Sequence, residues 1–297
     1  MKYLFVLLFV MAVAALYAGC MQQQPSPVTV TTKAPANLVT VTQTSAVQPD
    51  TITTVNTDLG TILADATGST LYIFATDIPG SGKSTCTGSC PENWPAASAD
   101  IVKVSSPLVS SDFSLFTRTD GTEQVSYRGH PLYTYRSDTN SGDVKGEGIG
   151  MVWFTAKPDY TVMIAKQPVI GSYLTDSAGM TLFFFTSDTT GTSACTGSCL
   201  STWPAFSAGA VVAPSLLKTT DFRTVSRSDG VQQLAYMGRP LYRYAPDKKP
   251  GDTFGQGINN RWFVANISGS VPVIPMTVAT TVQATKTPYS RSYGGGY

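Results

Sequence analysis

The residues able to do chemistry are few in this chain and fall at fixed spacings. Four cysteines form two Cys-x3-Cys segments, Cys86 with Cys90 and Cys195 with Cys199, and there is a single histidine, His130. One histidine cannot furnish a multi-histidine metal centre or a pair of haem ligands, and no cofactor or metal is expected. Thioredoxin-like exchange uses Cys-x-x-Cys at a helix start, and covalent haem attachment wants His directly after the second cysteine. Here the cysteines are three residues apart, and Pro91 and Leu200 follow them. The reading left is structural: each pair closes a local disulfide, contributing about 2 kcal/mol by loop entropy. Gly82-Lys83-Ser84 lacks the first glycine of a phosphate loop, because position 77 is Asp. Asp138-x-Asn140-x-Gly142-Asp143 has faint calcium-loop character, but its counterpart puts Lys248 and Lys249 among the ligands, so turn-forming residues are the simpler account. His130 aligns with Arg239, which excludes a shared imidazole role and suggests a surface histidine. A hydrolase would need a carboxylate pair such as Asp77 with Asp138, and nothing in the sequence brings them together. Asn266-Ile-Ser268 fits a glycosylation sequon.

The elements that position these residues come from repeats. Cys86-Thr-Gly-Ser-Cys90 returns 109 residues later as Cys195-Thr-Gly-Ser-Cys199, and Asp112–Tyr135 returns as Asp221–Tyr244 with about half of the positions identical. Each half is itself doubled. Gly68-x-x-Leu71-Tyr72-x-Phe74-x-x-Asp77 is echoed by Gly129 through Tyr133, Tyr135 and Asp138, by Gly179 through Phe183, Phe185 and Asp188, and by Gly238 through Tyr242, Tyr244 and Asp247. One tryptophan follows each aspartate: Trp94, Trp153, Trp203 and Trp262. Aromatics at i and i+2 share one face of a strand. The glycine before them marks a turn and the aspartate after them accepts backbone N–H groups of the next loop. Every quarter therefore reads as hairpin, long loop and tryptophan strand, with no helical period.

This pattern resembles the secreted-repeat lipoprotein family, which has a Tyr-x-(Phe/Trp/Tyr)-x-x-Asp motif and a paired-cysteine segment ending in Trp-Pro, here Trp94-Pro95 and Trp203-Pro204. The matching residues are Tyr72, Phe74, Asp77; Tyr133, Tyr135, Asp138; and Tyr242, Tyr244, Asp247, while Phe183 stands where the motif has Tyr. The resemblance implies a location and a fold; the family has no settled activity.

The ends support that location. Lys2, an apolar run from Tyr3 to Leu16 and Ala18-Gly19-Cys20 read as a signal peptide over 1–19 with a lipobox, although Tyr17 stands where an aliphatic residue is usual. Cys20 is the expected lipidation site and 20–57 a Thr/Pro/Gln-rich tether. Residues 58–166 and 167–270 are expected to be two tandem homologous β-domains, sandwich- or barrel-like, each an internal duplication; a four-bladed propeller is the alternative. Residues 271–297 read as a disordered tail. The net charge of +1 and only 13% charged residues exclude a nucleic-acid binder. The expectation is an all-β, lipid-anchored protein on the extracellular face of the membrane, not an enzyme, engaging a cell-surface protein or glycan. An extracellular redox or electron-transfer accessory is the other reading.

Overall fold

Runs of β-branched and aromatic residues broken by Gly and Pro give, in the computed structural model, short strands joined by long loops. The structure describes residues 51–99 and 102–270; the expected signal, Cys20, the tether up to residue 50 and the tail 271–297 lie outside the described residues. In the first half, β1 (Thr51–Thr57) and β2 (Gly60–Asp65) form an antiparallel hairpin with Ile52 opposite Asp65. The segment Thr51–Thr57, read as the end of the tether, is thus a strand. Its Thr- and Val-rich composition suits a spacer and a strand equally, and pairing with β2 decides. The half continues with β3 (Tyr72–Phe74), the one-turn helix α1 (Cys90–Asn93), β4 (Lys103–Val104), β5 (Phe113–Thr117), β6 (Glu123–Tyr127), β7 (His130–Pro131) and β8 (Trp153–Thr155).

The second half repeats this order. β9 (Val162–Gln167) and β10 (Gly171–Asp176) take the places of β1 and β2; then come β11 (Phe183–Phe185), α2 (Cys199–Thr202), β12 (Phe222–Ser226), β13 (Gln232–Tyr236), β14 (Arg239–Pro240) and β15 (Trp262–Val264). The expected boundary between residues 166 and 167 falls inside the β9–β10 hairpin, with Gln167 opposite Gly171. The second half therefore begins with β9. Pro168 falls in the turn, where it needs no ladder hydrogen bond.

The hairpins expected within each quarter close only near their turns. Leu71 N–H donates to Leu63 O (2.9 Å) and Ala64 bridges Thr70. β3 then leaves β2 and pairs with the tryptophan strand β8, Ile73 opposite Phe154; β11 pairs with β15 in the same way. At the centre of each half the two motif strands meet: Tyr72 and Tyr133 exchange both backbone bonds (2.7 and 3.0 Å), as do Phe183 and Tyr242 (2.8 and 3.0 Å). Among the described residues the sheets have two or three strands, with no closed barrel and no four-stranded blade.

Strand alternation separates two kinds of core. Ile73 and Phe154 join a large apolar cluster that also holds Leu63 and Leu71 of the first half and Leu174, Leu182, Phe184 and Leu234 of the second. Tyr72, Phe74 and Trp153, on the opposite face, join a smaller aromatic cluster confined to one half. Hydrogen bonds also cross between halves: Lys166 N–H donates to Ala75 O (2.8 Å), and Ser215 N–H to the side-chain Glu147 Oε1 (3.1 Å).

The repeated turn glycine has a defined task. The carbonyl of Gly129 accepts from Gly80 N–H (2.9 Å), and a Cβ on Gly129 would lie 2.6 Å from that nitrogen, at a φ of +81°. Gly121 has a similar φ of +84° but open space around it. Gly121→Ala should therefore show the backbone strain alone, about 1 kcal/mol, and Gly129→Ala strain plus collision, about 3 kcal/mol, in denaturant unfolding.

Candidate functional site

Each half encloses a stack of four aromatic rings. In the first half the order is Phe74, Trp153, Trp94, Tyr135, with centroid separations of 4.1, 3.9 and 4.3 Å and the two indoles 2° from parallel. In the second it is Phe185, Trp262, Trp203, Tyr244, at 4.1, 3.8 and 4.3 Å. Tyr72 and Tyr133 stand edge-on to Trp94 and Trp153 (5.3 and 5.1 Å), and Phe183 and Tyr242 to Trp203 and Trp262 (5.5 and 5.1 Å). Rings from sister quarters alternate in contact: Phe74 covers the second quarter's Trp153, and Tyr135 the first quarter's Trp94. All four tryptophans are buried, and the rings that end each stack are half-buried.

The motif aspartates work in two directions. One oxygen closes the aspartate's own loop: Asp77 Oδ1 accepts from Thr85 N–H (2.6 Å), Asp138 Oδ1 from Lys145 N–H (3.0 Å), Asp188 Oδ1 from Ala194 N–H (2.7 Å) and Asp247 Oδ1 from Phe254 N–H (3.1 Å). The other oxygen accepts from the sister quarter's tyrosine. Tyr72 Oη donates to Asp138 Oδ2 (2.6 Å), Tyr133 Oη to Asp77 Oδ2 (2.5 Å) and Tyr242 Oη to Asp188 Oδ2 (2.8 Å). Burial pushes these three carboxyls above the ordinary aspartate value and drives the three phenols well above theirs. The phenol therefore keeps its proton and donates. Asp77 and Asp138 serve different tyrosines.

The fourth bond is missing. Phe183 occupies the place of Tyr72 and offers no hydroxyl, so Asp247 Oδ2 is buried without a partner among the described residues. Gly255 N–H, whose counterpart Gly146 N–H donates to Tyr72 Oη (3.1 Å), has no such oxygen to meet. Burial, joined by the nearby Asp252 carboxylate, pushes Asp247 up to about 6.

Cys86 bridges to Cys90 and Cys195 to Cys199, each closing the turn that leads into α1 or α2 and then into Trp94 or Trp203. Sequence reasoning missed what holds these loops from the other side. Arg118 Nη2 donates to Cys86 O (2.8 Å) and its Nη1 to Gln124 Oε1 (2.7 Å), while Gln124 Nε2 donates to Leu132 O (2.7 Å). Arg227, Gln233 and Leu241 repeat this about Cys195 O (2.6, 2.8 and 2.7 Å). Ser84 and Ser193 hydroxyls lie 2.6 and 2.7 Å from Tyr133 and Tyr242 Oη. The signal was available: all three pairs recur at the 109-residue offset. His130, expected on the surface, is 9% exposed, its Nε2 has no partner among the described residues, and burial pushes its pKa down to about 4. It lines a cavity of about 20 Å³ at the seam between the halves, with Ile73, Ile164 and Tyr173. Asn266 is half-buried, its Oδ1 accepting from Ser268 N–H (2.8 Å). Among the described residues no cluster of His, Cys, Asp and Glu could hold a metal, and no helix is long and apolar enough to cross a membrane.

These features define an all-β protein of four similar quarters, its signature residues turned inward. The sequence family agrees: the family described as a secreted repeat of unknown function matches residues 53–98, 114–157, 165–207 and 223–266, one match per quarter and more than half of the chain. The chain belongs to that family. No curated protein and no solved structure matches it.

The missing hydroxyl can be restored. Asp247 has a folded pKa above its ordinary 3.8, so its favourable contribution is complete below that value and is lost as pH rises through about 6. Phe183→Tyr should stabilise the protein by about 1 kcal/mol at neutral pH and flatten this dependence. Tyr133→Phe, which strips Asp77 Oδ2 of its phenol donor, should destabilise it by about 1–3 kcal/mol. Urea unfolding of the three proteins at pH 4.5 and 7.5 checks both signs.

Proposed function

We propose that the chain is a lipid-anchored module of the extracellular cell surface that binds or supports rather than catalyses. One observation carries this reading: three of the four motif aspartates accept from a motif tyrosine beside buried indoles, so the residues best suited to chemistry hold the fold. Ala18-Gly19-Cys20 supplies the anchoring half of the reading. If it is right, the wild-type protein takes up a fatty-acid label in cells, and Cys20→Ser abolishes labelling and either releases the protein or leaves its signal uncleaved. Absence of label on the wild type would overturn the anchor.

The duplication is best read as one cooperative body, because the large apolar cluster draws on both halves. A single thermal transition for the whole chain, with residues 51–160 alone unable to melt cooperatively, is the expected outcome. A cooperative melt of that fragment would support two tandem domains.

The indole pairs at 3.9 and 3.8 Å beside disulfides favour the redox accessory as the second reading. A chromophore retained on purification, or reversible opening of either disulfide with native activity in electron transfer, would turn the assignment to it.

A further inference from the structure

The loops that follow the aspartates of the second and fourth quarters share one framework. In residues 138–145, Asp138 Oδ1 accepts from Lys145 N–H (3.0 Å), and Asp143 Oδ2 from the N–H groups of Thr139 (2.9 Å) and Asn140 (3.0 Å). In residues 247–254, Asp247 Oδ1 accepts from Phe254 N–H (3.1 Å), and Asp252 Oδ2 from those of Lys248 and Lys249 (both 2.9 Å). The backbone is kept while the displayed chemistry changes. Lys145 turns back onto Asp143 (2.7 Å), whereas Phe254 in its place is 68% exposed. Lys248 and Lys249 are exposed, and among the described residues neither ammonium meets a carboxylate.

Phe254 is the aromatic side chain left most open among the described residues, in a fold that otherwise buries its aromatics. The charge of the chain is divided along the same line. Residues 51–160 carry seven Lys and Arg against twelve Asp and Glu; residues 161–270 carry nine against six. A partner for the 247–254 loop must therefore be anionic and must also take up an apolar ring. A soluble polyanion meets only the first requirement. The headgroup layer of an anionic bilayer meets both, because basic residues gain near such a surface and aromatic rings settle at its apolar boundary.

We propose that the 247–254 loop is a membrane-contact site, with Lys248 and Lys249 on anionic headgroups and Phe254 seated between them. The anchored reading places this loop near a bilayer, but the contact itself does not depend on the anchor. Each lysine adds about five-fold to the partition coefficient, and the effect is screened by salt. Such a contact is weak for a free molecule; for a tethered one it fixes which half faces the lipid.

The test uses the chain from Met21 onward, which carries no acyl group, in co-sedimentation with vesicles of phosphatidylcholine alone or with about 30% phosphatidylglycerol. Binding is expected to the anionic vesicles at low salt and to fall at about 0.5 M salt. The triple change Lys248→Thr, Lys249→Asn and Phe254→Lys installs the first half's residues on the same framework. It should lower the partition at least ten-fold with no change in melting temperature. Equal binding to both vesicle types, no binding to either, or binding unaffected by the triple change would overturn the proposal. So would lipid-free self-association in sedimentation velocity that the triple change abolishes, which would assign the loop to the acidic half of a second copy.

Discussion

A tyrosine hydroxyl that must reach a carboxylate more than fifty residues away is the constraint on which the rest of this structure hangs. Left buried and unpaired, such a hydroxyl costs about 1–3 kcal/mol. Its acceptor is never in its own quarter. Because the aspartate also closes its own loop, every bond ties a strand of one quarter to a loop of its sister. The backbone exchange between Tyr72 and Tyr133 and the alternating ring stack put the two quarters in one register. A quarter without its sister would leave a phenol, a carboxylate and one face of an indole unmatched.

The third quarter separates what the rings do from what the bond does. Phe183 lies against Trp203 and Gly255 much as Tyr72 lies against Trp94 and Gly146. Packing alone therefore sets the position of the ring. The hydroxyl adds a partner for a carboxylate, and where it is missing the burden falls on Asp247, which holds its proton to a higher pH. The loops show a similar division of labour. First and third quarters hold theirs with a disulfide and a buried arginine, whereas second and fourth use a second aspartate that accepts backbone N–H groups.

Much of this was legible in the residues themselves. The period-two aromatics announced which face of each strand would carry the stack, and the aspartate after them announced a loop closure that all four quarters show. The local cysteine spacing allowed a bridge and little else. What stayed hidden is long-range. No periodicity tells Tyr72 to seek Asp138 instead of Asp77, nor tells β3 to leave β2 for β8, since both choices satisfy the same alternation. His130 was misjudged because its alignment with Arg239 implied an exposed position, whereas one packs its imidazole into the seam and the other keeps a guanidinium half-exposed over Phe184. Thr51–Thr57 was misjudged because threonine-rich segments serve as spacers or edge strands according to what lies beside them.

The reciprocal contacts carry a record of origin. When residue i of one segment meets residue j of another, and j of the first meets i of the second, the arrangement is that of a two-fold symmetric dimer. Tyr72 with Asp138 and Tyr133 with Asp77 obey that relation, about an axis running between Trp94 and Trp153. An ancestor one quarter long would have been an obligate homodimer, its subunits later fused into one chain and the fusion then copied whole. On that history, Phe183 is the kind of substitution a homodimer could not make on one side only. Fusion released each subunit from its twin, and the departures from symmetry mark where the descendants were free to differ.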